Sequence, residues 1–221
     1  MLGVNHLAGF GANASIANPL EFSFQDSAVD EVDRTSYTFA SMSLGAAATA
    51  RRIVIGVVCR ASTAPVINSL TVGGISASLI HQSRASGGAY FYYADVPTGT
   101  TGDVVVNFAS SVTRAGICVW RILNESSMTP TDTASSTNAD PAALNVDIPS
   151  GDSAAMAIAY GHNGTSTTWT GLTEDTDTEI SSGNVMTAAS DGFSTLEANR
   201  TISADFSGAS AYEAGAAIVI Q

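Results

Sequence analysis

The sequence predicts an all-β protein made of two sequence-related antiparallel β-sandwich repeats, of jelly-roll or immunoglobulin-like type, packed together behind an extended N-terminal arm. Three observations predict it. Runs of β-branched or alternating residues recur at roughly 8 to 15 residue spacing, separated by Gly, Pro, Asn, Asp and Ser, as sandwiches require. No segment carries the i, i+3, i+4 apolar spacing of a packed helix. The second half of the chain also repeats the pattern of the first about 100 residues on.

Taken in order, residues 1–20 contain Gly3, Gly9 and Gly11, scattered apolar residues and no periodicity, so they read as an arm. Leu2, Val4, Leu7 and Phe10 are its candidate partner-binding residues, since an arm can order on a neighbouring subunit by burying them; a frayed terminus is the plainer reading. The first sandwich covers 21–123, with strands near 37–44, 52–60, 67–80, 89–96, 103–109 and 114–123. Residues 124–141 join the repeats, and 130–141 have the turn chemistry of an exposed linker. The second sandwich covers 142–221, with strands near 142–148, 153–161, 168–180, 184–190, 200–207 and 212–220. The stretches 53–59 and 215–220 are apolar at every position, which predicts strands covered on both faces and the two repeats packed against each other.

Four matches in the same order carry the repeat. Residues 52–58 match 154–160 at an offset of about 101, and 67–71 match 169–173 at 102, with Leu70 against Leu172. Further on, 104–108 match 201–206 at 98, and 115–120 match 214–219 at 99. A nearly constant offset is the mark of an internal duplication.

Composition narrows the function. A chain of 221 residues buries enough apolar surface to fold without disulfides. Its longest apolar runs are about seven residues, against the roughly 20 that span a bilayer, and its first residues lack the cationic and apolar regions of a secretory signal. These features lead us to expect assembly in a cytoplasm and no membrane partner. All eight basic residues are Arg, which removes lysine Schiff-base chemistry and the lysine of a phosphate-binding P-loop. Net charge is −12 and the one basic pair is Arg51-Arg52, so no nucleic-acid partner is expected. The charge is uneven: residues 1–123 hold seven Arg and seven acids, whereas 124–221 hold Arg200 against thirteen acids. A neutral half tolerates docking on another protein, and a strongly acidic half stays solvated.

Candidate chemistry is sparse. His6, His81 and His162 lie in separate segments without metal-ligand spacing, so no metal and no cofactor is expected. Cys59 and Cys118 are 59 residues apart, a separation like that of the immunoglobulin inter-sheet bridge. The second repeat has Tyr160 and Ala217 near the matching positions, so two buried free thiols are the plainer reading. The run Glu174 to Glu179 alternates carboxylates that can ligate Ca²⁺ but lacks the EF-hand Gly and closing Glu; the competing reading is an acidic strand edge that resists aggregation. Tyr90-Phe91-Tyr92-Tyr93 is the densest aromatic run, suited to joining core to surface or to stacking sugar rings. No nucleophile elbow or acid/base pair is present, and no enzyme activity is expected.

Residues Ser36-Tyr37-Thr38-Phe39, Ser43-Leu44-Gly45, Arg52-Ile53-Val54, Leu70-Thr71-Val72-Gly73-Gly74 and the run from Ala94 to Val106 resemble uncharacterised virion structural proteins of tailed, marine-type bacteriophages. The likeness covers about residues 36–123, with a weaker echo beyond, and carries over no catalytic residue. It implies a structural role in a virion, assembled in the bacterial host cytoplasm. The expected function is a capsid decoration, cement or head-spike protein that binds the capsid surface. Its partners would be the major capsid protein or other virion proteins, as a homo-oligomer or in many copies. The alternative is a tail-tip or fibre module that binds host-surface glycans through Tyr92 and Trp169, with a secreted polysaccharide-active enzyme a weaker third reading.

Overall fold

The computed structural model describes residues 18–208 and 214–221. Among them are 19 strands and no helix, paired into antiparallel sheets consistent with β-sandwich architecture. The first half supplies β1 (Glu21–Asp30), β2 (Arg34–Ser43), β3 (Arg52–Arg60), β4 (Ile67–Val72), β5 (Ile75–Ser76), β6 (Ser78–Arg84), β7 (Gly87–Asp95), β8 (Thr101–Val112) and β9 (Arg114–Leu123). The second half supplies β10 (Asp132–Thr137), β11 (Ala142–Ala143), β12 (Val146–Ile148), β13 (Ser153–His162), β14 (Thr167–Thr170) and β15 (Thr173–Ser181). It continues with β16 (Asn184–Phe193), β17 (Glu197–Arg200), β18 (Ser203–Phe206) and β19 (Ala214–Ile220).

Two five-stranded sheets form the centre, ordered β1-β9-β3-β7-β6 and β10-β19-β13-β16-β15. In each, the first and last strands of the half lie side by side at one edge and a hairpin forms the other. The first half adds an outer sheet β2-β8-β4-β5, and the second adds β11-β18-β14 with the pair β12-β17.

Period-two side-chain alternation explains the layering. Ile53, Ile55, Val57 and Cys59 face the outer sheet of the first half, with Tyr37, Val104, Val106, Ile117 and Val119. Val54 and Val58, between them, face the second half with Trp120, Ile122, Met156, Ile158, Tyr160 and Ile218. Ala155, Ala157, Ala217 and Val219 close a third core against Leu144, Val146, Ile148 and Ile202. The central sheets therefore pack face to face, and residues 53–59 and 214–220 are buried throughout. That is the two-sided covering expected from their unbroken apolar sequence.

Several boundaries differ from the sequence expectation. Residues 132–137, expected in the linker, form β10 against β19, with Asp132 opposite Val219. Its Ser/Thr-rich composition suits an edge strand with little to bury, and the first half covers its free edge: His81 Nε2 lies 3.1 Å from Ala134 O, and Ser83 Oγ donates to Ser136 O at 2.9 Å. β1 was not expected either, because Asp26 and a bulge after Phe24 break the alternation that Phe22 and Phe24 begin. The expected strand 67–80 divides at Gly73 and Gly74, both with positive φ, and 168–180 divides at Gly171, φ +84°. A Cβ on Gly171 would collide with the backbone carbonyl of Thr201, so both the turn and the close approach require glycine.

Candidate functional site

Two networks of polar side chains cross the contact between the halves. Trp120, on β9, is fully buried and has Phe24 and Phe91 around it at ring-centroid distances of 5.7 and 5.9 Å. Its indole Nε1 donates across the interface to Asp175 Oδ2 at 3.0 Å, and Ser190 Oγ donates to the same oxygen at 2.7 Å. Burial raises the Asp175 pKa, and the two donated hydrogen bonds oppose that shift. Asp175 thus turns inward from β15, which is the edge strand of its sheet.

At the far end of the same interface, Arg60 and Arg114 sit directly opposite each other on β3 and β9. Arg60 Nη1 lies 2.9 Å from His162 Nδ1, and Arg114 Nη1 donates to Ser181 Oγ. Tyr160 donates its hydroxyl to Asn184 Oδ1 at 2.5 Å, and Asn184 Nδ2 donates to Ser181 Oγ at 3.0 Å. Burial pushes Tyr160 up while both arginines pull it down, which places the three groups in one electrostatic neighbourhood. Ser181 opens onto a groove of about 630 Å³ lined also by Val29, Glu31, Glu179, Ile180 and Ser182. A second groove, of about 430 Å³, lies between β6 and the connector before β10; Leu79, Tyr93, Ser127 and Met128 are among its lining residues.

The residues singled out from sequence are not brought together. Leu2, Val4, Leu7 and Phe10 lie outside the described residues. Tyr92 is 7% exposed in the core of the first half, so it cannot stack on a glycan; its alternation places it on the inner face of β7. Trp169 is half-buried in the other half, its Nε1 donating to Thr187 Oγ1 at 2.6 Å. The aromatic of that run that does reach a groove is Tyr93, one residue on and on the opposite face of the strand. Cys59 and Cys118 are free and buried, in cores on opposite sides of one sheet, and burial raises both thiol pKa values. No group of three or more His, Cys, Asp or Glu side chains is placed to hold a metal ion among the described residues.

Sequence reasoning missed the Arg60–Arg114 pair, which joins neighbouring strands of one sheet, and the Trp120–Asp175–Ser190 network, in which Trp120 and Asp175 are 55 residues apart on opposite sides of the interface. A usable signal was present for the first: two arginines, each at the end of a strand whose interior is apolar. Compared with known proteins, the chain matches no family model and no curated protein.

Proposed function

We propose that the protein is a structural component of a tailed-phage particle, a capsid decoration, cement or head-spike protein built from two copies of one sandwich unit. The observation that carries the reading is the four-layer construction. A face-to-face core joins the halves into one block, leaving the outer sheets free for contacts with other proteins. The shared strand order of the two central sheets and the sequence offsets near 100 support duplication. The outer sheet of the first half presents rungs Ser36–Asn107–Ser69 and Thr38–Val105–Thr71, a face of small uncharged side chains suited to docking on a capsid surface. The second half, with one Arg against thirteen acids, would face solvent.

The test is the stoichiometry of the protein on purified particles, by quantitative mass spectrometry against the major capsid protein. A ratio near one to one, or one per capsomer, is expected; absence from particles overturns the reading. A handful of copies would favour the second reading, a tail-tip or fibre module, which rests on the groove beside Tyr93 in place of Tyr92 and Trp169.

A further inference from the structure

The groove between β6 and the connector before β10 opens onto the core that joins the halves. Ile80 and Tyr93 pack partly buried against that core, Met128 belongs to it, and all three line the groove. Leu79, also lining it, is 46% exposed, and none of the described lining residues is charged. Apolar surface left open beside a core carries a hydration cost that an apolar side chain seated there removes. The described chain starts close by. Asn124 Nδ2 donates to Pro19 O at 2.9 Å, and Asn18, Pro19 and Leu20 share a neighbouring groove with Asn124 and Ser126. Ser127 lines the Tyr93 groove, so one connector borders both. From Asn124 to Met128 is four residues, at most about 14 Å of chain. Phe10 stands eight positions before Asn18, a reach of up to about 28 Å.

We propose that residues 1–17 fold back onto their own chain and seat Phe10, with Leu7 beside it, in this groove. Residues 1–17 contain no Asp, Glu, Lys or Arg, and every such residue of this acidic chain follows them. An uncharged segment thus meets an uncharged groove. A tether this short holds Phe10 at an effective concentration on the order of millimolar, which favours the chain's own arm over that of a second copy in dilute solution. The arm covers the seam between the halves, with β6 on one side and the connector on the other. The partner that the sequence leads us to expect for Leu7 and Phe10 is then the chain itself. The inference is independent of the capsid reading, which the outer sheets carry, and a seated arm closes the Tyr93 groove to a glycan.

The experiment is disulfide trapping in the full chain carrying Phe10→Cys and Leu79→Cys, in dilute solution under a mild oxidant. The native thiols Cys59 and Cys118 are both buried. An intramolecular bond, read on monomers by non-reducing electrophoresis, is expected to form at least about tenfold faster than in Phe10→Cys with Val32→Cys. Val32 is 50% exposed but lies beyond the far end of β1, whose ten residues span about 33 Å. A second measurement leaves the groove residues unchanged: Phe10→Ser is expected to shift the Met128 methyl resonance by removing the ring current of Phe10, while that of Met42, in the core of the first half, stays. Equal trapping at Leu79 and Val32, or a Met128 methyl unmoved by Phe10→Ser, overturns the proposal. Trapping only between molecules also overturns it, and would assign the groove to the arm of a second copy.

Discussion

Arg51 shows how one residue can organise an end of the first sandwich. Its guanidinium is fully buried and donates to five backbone carbonyls: Val96 O at 2.7 Å from Nε, Leu44 O and Gly45 O at 3.2 and 2.8 Å from Nη1, Thr98 O and Gly99 O at 2.9 and 2.8 Å from Nη2. Five donors thus meet five acceptors on two loops, and the fork has no carboxylate among these partners. Arg51→Lys keeps the charge but not the fork, and is expected to cost about 2–4 kcal/mol of unfolding free energy, measured by urea denaturation. Asp175 makes the opposite case, a carboxylate whose burial disfavours its charge. A raised folded pKa means the folded state holds the proton more tightly, so its contribution to stability falls as pH rises above the ordinary aspartate value of 3.8. Asp175→Asn keeps an acceptor for Trp120 and Ser190 and is expected to flatten that pH dependence in denaturation curves taken from pH 4 to 7. Asp175→Ala is expected to cost about 1–3 kcal/mol at any of those pH values, by leaving the indole donor poorly satisfied.

At the scale of the element, strands were legible where alternation or an unbroken apolar run marks them, and illegible where the edge position does the work. β3, β7, β9, β13, β16 and β19 all fall close to their expected places, because their residues face two cores and are therefore mostly apolar. β1 and β10 escaped because an edge strand needs few apolar contacts. The sequence offsets also show a one-residue slip. Val54 stands opposite Trp120, and Met156 opposite Ile218, in the core between the halves. Matching inward faces therefore need even spacing between the halves, and the offset of 99 for the last strand would turn its inner residues outward. The acids of β15 bear on its free edge: Glu174 and Glu179 are exposed on a strand with no outer neighbour. Replacing both with Val is expected to create concentration-dependent association by edge pairing, visible as a shift to dimer or larger species in size-exclusion chromatography with light scattering. An unchanged monomer-sized peak would mean the edge is protected by something other than charge.

At the scale of the whole molecule, the largest consequence is coupling between the halves. Gly56 lets Ile158 and Trp120 close over it, with a Cβ there only 2.8 and 3.0 Å from them, and Cys118 Sγ lies 3.8 Å from Met186 Sδ. Faces packed this closely leave neither half with its full core when the other unfolds. A single calorimetric transition is expected, with calorimetric and van't Hoff enthalpies equal; two resolved peaks would show that the halves unfold independently.

The sequence by itself determined the class of the protein, its all-β character, the approximate place of its inner strands and the two-sided burial of 53–59 and 215–220. All of these follow from local composition and from a side-chain period of two. Only the tertiary structure decided which face each aromatic takes, that Tyr92 is core and Tyr93 meets a groove, that 132–137 pairs as a strand, and that Arg60 meets Arg114. Those outcomes depend on sheet order, on edges and on contacts across more than 50 residues, where the free energy comes from the partner surface and the local pattern carries no record of it.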